Sequence, residues 1–188
     1  MRKIETPLED LYIIEPNVFE DSRGYFFESF NATKFIDLGF NVQFVQDNES
    51  LSSAGVIRGL HYQLAPYAQS KLVRVIQGKI LDVAVDIRKN SPTFGQHFAY
   101  ELSAENKQML FIPKGFAHGF SVLSERAIIN YKCDCLYNAT AERGICYNDP
   151  TLAIDWMVDF DNAIVSAKDR VLPLFDSIEN NFVYGGNY

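Results

Sequence analysis

The clearest pattern along the chain is an alternation of apolar and polar residues between Lys71 and Arg88. In its second half, Val83, Val85 and Ile87 fall on one face of an extended chain. The other face carries the charged residues Asp82, Asp86 and Arg88. A period of two predicts a strand with one buried face. Gly78-Lys79 separates this run from a similar preceding run, so the sequence predicts a β-hairpin here.

Further short apolar runs recur along the chain with turn residues between them. They are Tyr25–Phe30, Phe98–Leu102, Met109–Ile112, Phe116–Leu123 and Ala127–Tyr137. Many short strands at close intervals predict an antiparallel sandwich or barrel. Helix signals are few: Asn31 to Gly39 begins with an N-cap residue and ends at a glycine, and Ser166 can cap a short turn. The last residues, 182–188, predict an irregular tail.

Composition and charge narrow the class of protein. A chain of 188 residues is expected to form one domain spanning residues 1–188. Its net charge of −7 argues against a nucleic-acid-binding protein, which would carry a basic surface. The sequence contains no apolar run long enough to cross a membrane, and its start has no apolar core of a secretion signal. Three cysteines without framework spacing fit a reducing compartment, so we expect a cytoplasmic protein.

Two of the three histidines lie in unusual contexts. His61 lies in the segment Arg58–Gln63, and His118 lies in Pro113–Phe120. The spacing Pro-x-Gly-x-x-His in the second segment resembles a motif of the cupin superfamily, in which a turn leads into a strand whose histidine faces a jelly-roll barrel. Two histidines without a convincing carboxylate make a poor transition-metal site. We therefore expect a barrel that uses no metal and no other cofactor, and acid–base chemistry at its histidine.

The ordered motifs resemble the dTDP-4-dehydrorhamnose 3,5-epimerase family over about residues 10–173. The matching segments are Asp21–Glu28, Val45–Ser50, Arg58–Gln63, Gln69–Val75, Ala84–Arg88, Pro113–Phe120, Asn130–Cys133, Glu142–Gly144, Asn148–Pro150 and Asp155–Trp156. The resemblance implies an all-β, cupin-type jelly roll. It implies an isomerase that inverts the two carbons flanking the ketone of a dTDP-4-keto-6-deoxy sugar, in dTDP-L-rhamnose biosynthesis. It also implies a homodimer in which N-terminal strands cross to the partner.

The same resemblance assigns roles to site residues. His61 matches the base and Asp169 the carboxylate that orients it. Lys71 matches the cation near the developing enolate, and Tyr131 matches the acid on the opposite face. Enolate chemistry requires these kinds of group. The implied substrate-binding residues, with Phe26 and Tyr137 as candidates to stack on the thymine, are Arg23, Phe26, Glu28, Gln46, Asp47, Asn48, Arg58, His118, Tyr137, Glu142 and Lys168.

Other functions remain open at this point. A relative could invert one carbon only, or move the ketone. A cupin could bind a nucleotide sugar without catalysis, or use a metal as dioxygenases do. The combination of Tyr131, Lys71 and Asp169 favours epimerisation, because a binding protein needs no base and acid facing each other across a sugar.

Overall fold

The structure, a computed structural model, describes residues 1–188, and strands make up most of its regular elements. In chain order they are β1 (Arg2–Glu5), β2 (Tyr12–Glu15), β3 (Phe19–Asp21), β4 (Gly24–Phe26), β5 (Gln46–Ser53), β6 (Val56–Gln63), β7 (Lys71–Gln77), β8 (Lys79–Asp86), β9 (His97–Ser103), β10 (Met109–Ile112), β11 (Phe116–Val122), β12 (Arg126–Cys133), β13 (Glu142–Gly144) and β14 (Ile164–Val165). One helix, α1 (Ala32–Asp37), and two 3₁₀ turns, Asp169–Val171 and Phe175–Ser177, accompany them.

Two packed sheets form the body of the molecule. The front sheet has the order β1-β2-β10-β7-β12-β5, and the back sheet the order β13-β6-β11-β8-β9. Neighbouring strands within these orders are antiparallel, and β14 adds to β6 in parallel. The strands β3 and β4 pair only with each other, as a separate ribbon. The predicted all-β jelly roll is confirmed.

Three clusters of buried side chains hold these layers together. The first lies between the sheets and takes Val73 from the front sheet and Phe120 from the back sheet. The second covers the outer face of the back sheet with the irregular C-terminal third of the chain, where Trp156 is fully buried. The third covers the outer face of the front sheet with α1, through Phe35. Both sheets are therefore covered on their outer faces as well as packed against each other.

The predicted hairpin at Gly78 is wrong. Strand β7 lies between β10 and β12 in the front sheet, whereas β8 lies between β11 and β9 in the back sheet. The chain thus passes from one sheet to the other at Gly78, whose φ is +78°. A side chain there would collide with the backbone carbonyl of Arg126, so the crossing requires glycine.

The prediction that one face of β8 is exposed is also wrong. Asp82 and Asp86 have no exposed surface, and Arg88 is 4% exposed. The apolar face of β8 packs on the outer cluster through Val83, while its other face contributes Ala84 to the cluster between the sheets. The alternation of apolar and charged residues in β8 therefore reflects two buried faces. One face is apolar, and the other contains charged side chains that are paired within the fold.

The predicted local elements are confirmed with shorter bounds. Asn31 caps α1 by accepting a hydrogen bond from Lys34 N (3.2 Å). Ser166 Oγ accepts one from Asp169 N (3.0 Å) at the first 3₁₀ turn. The predicted strand 127–137 ends at Cys133, opposite the first residues of its antiparallel partners β5 and β7, and the strand 25–30 ends at Phe26. The tail after residue 181 forms no strand or helix, and no helix of the structure has the length and apolar character of a membrane span.

Candidate active site

A cavity of about 500 Å³ opens between the two sheets. A smaller cavity of about 270 Å³ adjoins it, and His61, Lys71 and Tyr131 line both. The side chains that line the larger cavity include Ser50, Arg58, His118, Phe120, Ser166, Lys168 and Asp169. Those that line the smaller one include Gln46, Asn48, Gln69, Tyr137 and Glu142. The three shared residues therefore mark the centre of one extended site.

His61 and Asp169 form a hydrogen-bonded pair on the back-sheet wall. His61 Nε2 lies 2.7 Å from Asp169 Oδ1, and Asp169 is buried. The other carboxylate oxygen accepts a hydrogen bond from Gly59 N (3.3 Å). Burial opposes ionisation of Asp169, but the hydrogen bonds from His61 and Gly59 outweigh it and lower the pKa of this carboxyl. Because the ionised carboxylate accepts from Nε2–H, the lone pair of the imidazole is on Nδ1.

Lys71 and Tyr131 lie on the front-sheet wall, on the neighbouring strands β7 and β12. Burial lowers the pKa of the Lys71 amine, while Asp82 and Glu142 act in the opposite direction. Burial raises the pKa of the Tyr131 phenol, so this side chain keeps its proton at neutral pH. The cavity thus has a histidine with a carboxylate partner on one wall, and a lysine amine and a phenol on the other.

A second histidine–aspartate pair lies next to the first. His118 is the cross-strand neighbour of His61, and its Nε2 lies 2.7 Å from Asp82 Oδ1. Burial lowers the pKa of His118, which favours a neutral ring at neutral pH. The carboxylate fixes the ring in the cavity wall and determines which nitrogen faces a ligand.

The candidate binding side chains around the smaller cavity form a connected network. Tyr137 donates a hydrogen bond from its hydroxyl to Glu142 (2.7 Å), and its backbone N donates to Gln46 Oε1 (2.8 Å). Lys168 forms an ion pair with Glu142 at 2.5 Å. The hydrogen bond from the Tyr137 hydroxyl to the Glu142 carboxylate raises the pKa of the Tyr137 phenol. The network holds Lys168, which lines the larger cavity, against Glu142, which lines the smaller one.

Arg58 differs from Lys168 because it has no carboxylate partner. Its Nε donates to Ser52 Oγ (3.1 Å) and one terminal nitrogen donates to Leu51 O (3.3 Å). The second terminal nitrogen has no hydrogen-bond partner in the chain, and the side chain lines the larger cavity. An orientated guanidinium with free donors is suited to bidentate binding of phosphate.

Four of the residues implied by the resemblance lie outside these cavities. Asp47 faces away from the site, because it alternates with Gln46 and Asn48 along β5, and it pairs with Lys132 (2.9 Å). Arg23, Phe26 and Glu28 belong to the β3–β4 ribbon and the segment after it. Arg23 pairs with Asp21 (2.6 Å), Glu28 pairs with Lys34, and 67% of Phe26 is exposed. Within one chain, the ribbon does not approach the cavity.

The structure adds residues that the motifs did not single out. Ser50 and Ser166 line the larger cavity, and the buried carboxylate of Asp82 holds His118. Strand periodicity could have found Ser50, because it shares a face of β5 with Gln46 and Asn48. Asp82 could not be found in this way, because the alternation in β8 indicates an exposed face. No group of three or more His, Cys, Asp or Glu side chains is arranged to hold a metal ion, and the absence of a cofactor stays a prediction.

A jelly roll whose cavity sets a histidine–carboxylate pair opposite a lysine and a tyrosine belongs to the class of cupin-fold enzymes that transfer protons. The family model described as dTDP-4-dehydrorhamnose 3,5-epimerase matches residues 5–177. The chain belongs to this family, and the protein is an isomerase.

Relatives and solved structures agree with this membership. The Shigella flexneri protein named dTDP-4-dehydrorhamnose 3,5-epimerase is 54% identical over 170 residues, which are 90% of this chain and 93% of the relative. A Legionella pneumophila 3,5-epimerase, crystallised with dTDP-4-keto-L-rhamnose, is 49% identical with a TM-score of 0.91, over 95% of this chain and 94% of that one. A 3′-monoepimerase from Streptomyces bikiniensis, crystallised with dTDP-quinovose, is 29% identical with a TM-score of 0.85, over 92% and 87%.

Proposed function

We propose that this protein inverts carbons 3 and 5 of the sugar of dTDP-4-dehydro-6-deoxy-D-glucose, giving dTDP-4-dehydro-L-rhamnose for dTDP-L-rhamnose biosynthesis. The observation that carries the proposal is the placement of His61–Asp169 on one wall of the cavity and of Lys71 and Tyr131 on the other. Membership of the family, and the ligand of the Legionella structure, support this choice of substrate.

The reaction begins with removal of a proton from a carbon next to the ketone. His61 accepts this proton on Nδ1, and the electron pair left on carbon moves to the ketone oxygen to form an enolate. Asp169 stabilises the imidazolium that results, as the third group of a catalytic triad does. Lys71 stabilises the negative charge that develops on the oxygen, and its desolvation strengthens this interaction.

Inversion requires that a proton return from the opposite face. Tyr131 donates its phenolic proton to the carbon, and the enolate collapses to the ketone. A buried phenol holds its proton until a basic carbanion faces it, so the raised pKa of Tyr131 matches this role. Exchange with water then returns a proton to the phenolate and removes one from His61. The same cycle at the second carbon completes the reaction without any change of oxidation state.

The nucleotide is held by side chains, since the chain has no glycine-rich phosphate loop. Arg58 and Lys168 bind the diphosphate, and His118 binds the sugar within the cavity. Gln46, Asn48 and Glu142 contribute hydrogen bonds, and Tyr137 stacks on the thymine. Because these cations are concentrated at the cavity, a dianionic substrate can bind a protein of net charge −7.

We also propose a cytoplasmic homodimer in which the N-terminal region reaches the partner's cavity. The β3–β4 ribbon pairs with neither sheet and exposes three aromatic side chains, Phe19, Tyr25 and Phe26. Exposed aromatic clusters of this kind are typical of interfaces. Arg23, Phe26 and Glu28 of one subunit would then complete the substrate site of the other. The three free thiols fit a reducing compartment.

Proton NMR in heavy water tests the proposed reaction directly. The purified protein is incubated with dTDP-4-dehydro-6-deoxy-D-glucose, and exchange is followed at both carbons that flank the ketone. We expect exchange at both, and formation of dTDP-L-rhamnose when a 4-keto reductase and its nicotinamide cofactor are added. Full turnover should survive treatment with a chelator, and a loss of activity there would contradict the metal-free mechanism.

One second candidate has an observation in its favour. The Streptomyces bikiniensis 3′-monoepimerase shares the fold, so inversion of a single carbon is compatible with this architecture. Exchange at one carbon alone would establish that activity instead. Binding without exchange at either carbon would indicate a protein that binds nucleotide sugars without catalysis.

A further inference from the structure

A row of four polar side chains lies along the inward face of the edge strand β5. In order they are Gln46, Asn48, Ser50 and Ser52, at the alternate positions that share one face of a strand. Three of them have partners within the chain. Gln46 donates to Asn48 (2.9 Å), Asn48 donates to the Cys133 thiol (3.8 Å), and Ser52 accepts from Arg58 (3.1 Å).

Ser50 is the exception in this row. Its hydroxyl oxygen is buried and has no hydrogen-bond partner. Its neighbour across the β12 pairing is Ile129, which offers no polar side chain. A buried hydroxyl without a partner destabilises the folded state, so such groups are rare unless a ligand satisfies them. Ser50 lines the larger cavity, where a bound substrate would lie.

The position of Ser50 along β5 indicates which part of the substrate it meets. Asn48 pairs directly with Tyr131, so that end of the row lies beside the proposed proton donor. Ser52 accepts a hydrogen bond from Arg58, whose guanidinium has no carboxylate partner. Alternate residues on a strand are about 7 Å apart, so Ser50 lies one such step from each. It is therefore placed between the reacting sugar and the cation that suits a phosphate.

We propose that Ser50 is a substrate-binding residue whose hydroxyl donates a hydrogen bond to the diphosphate that links sugar and nucleoside. The proposal rests on the proposed function, because it takes a nucleoside diphosphate sugar as the ligand. Ser50 and Arg58 then bind the same diphosphate, and Ser50 binds it nearer to the sugar. The residue affects binding and leaves the proton transfers to His61 and Tyr131.

The variant S50A tests this role, with S53A as the matched control. Ser53 lies on the same strand but faces outward and is exposed. Calorimetry with dTDP alone is expected to show about tenfold weaker binding by S50A, the loss typical of one hydrogen bond to a charged group. KM should rise by a similar factor with kcat within about twofold. The free S50A protein should melt no lower than wild type, because the hydroxyl it loses has no partner. S53A should match wild type in every measurement.

Other outcomes would overturn the proposal. Equal binding of dTDP by wild type and S50A would show that Ser50 does not contact the diphosphate, even if binding of dTDP-glucose fell. A fall in melting temperature with unchanged affinity would assign Ser50 a packing role. The variant S50C, which keeps a side chain of similar size, should reproduce the loss of affinity seen in S50A. Failure of the wild-type protein to bind dTDP would instead refute the proposed function, so the two failures are distinguishable.

Discussion

The hydrogen bond between Asp169 and His61 determines which ring nitrogen can act as a base. The carboxylate accepts from Nε2, which leaves the lone pair on Nδ1. The resemblance identified both residues from the sequence, but it could not give this geometry, because the two lie 108 residues apart. Their contact depends on β6 and on the 3₁₀ turn in which Asp169 N donates a hydrogen bond to Ser166 Oγ.

We expect D169N to keep the fold and lose turnover. An amide at this position can donate to the imidazole and so favours the wrong tautomer. By analogy with a serine-protease triad, kcat should fall roughly 10⁴-fold with little change in KM. The control D176N changes an exposed acid in the second 3₁₀ turn and should leave kcat unchanged. Steady-state kinetics with the coupled reductase assay measures both.

The Tyr131 hydroxyl is expected to affect product formation more than proton abstraction. Y131F keeps the ring in the cavity wall but removes the acid. Deuterium exchange into the substrate should continue through His61, while formation of the L-configured product falls about 10²–10⁴-fold, the usual contribution of a general acid. Proton NMR resolves the two rates, and an unchanged product ratio would assign the acid to another residue.

At the scale of elements, the sequence predicted the strands better than their pairing. The alternation in β7 and β8 correctly predicts two strands, but the glycine between them predicts a hairpin that the structure does not contain. Local pattern cannot distinguish a turn within one sheet from a crossing between two, because both require a residue with positive φ. The same limit applies to Asp82: the alternation predicts that it faces solvent, but its buried partner His118 comes from another strand.

The Asp86–Arg88 pair makes β8 sensitive to substitution. Asp86 accepts hydrogen bonds from Arg88 Nε (3.0 Å) and Nη2 (2.9 Å), and also from Ser91 and Thr93. D86N leaves the buried guanidinium with Asp10 as its one carboxylate partner, so we expect the free energy of unfolding to fall by about 3 kcal/mol in urea titrations. The control E101Q breaks an exposed pair with Lys79 and should cost less than about 1 kcal/mol.

The same pair predicts a dependence on pH. Burial opposes ionisation of Asp86, but Arg88 and its other donors lower the pKa of this carboxyl below its unfolded value. Such a group stabilises the fold above the unfolded pKa of about 3.9, and this contribution is lost as the pH falls through the lower, folded value. The difference in stability between wild type and D86N should therefore be full at pH 7 and shrink in strongly acidic urea titrations. A difference that stays constant would contradict this assignment.

At the scale of the whole molecule, the cavity of one chain lacks four of the residues that the resemblance assigns to it, and three of these four belong to one region of the chain. Arg23, Phe26 and Glu28 lie on or beside the exposed ribbon. Sequence motifs show which residues belong to a site, but they do not show which subunit supplies them. The assignment of these residues to a partner therefore remains a prediction about assembly.

Mixing two inactive variants tests that assembly. R23A and H61A should each be inactive, or nearly so, as separate preparations. If the subunits exchange, each mixed dimer has one intact site, and a one-to-one mixture should regain about a quarter of wild-type activity. No recovery after unfolding and refolding the two chains together would mean that Arg23 and His61 serve the same chain's site. Light scattering checks that the particles have the mass of a dimer.

The passage of the chain between sheets at Gly78 has a consequence for how activity arises during folding. His61 belongs to the back sheet, whereas Lys71 and Tyr131 belong to the front sheet. Neither sheet alone contains all the groups of the site. A chain in which both sheets have formed but have not yet docked is therefore catalytically inactive. In a refolding experiment, the rate at which turnover returns therefore measures the rate at which the two sheets dock. The enzyme's own reaction can thus be used to follow this late step of folding.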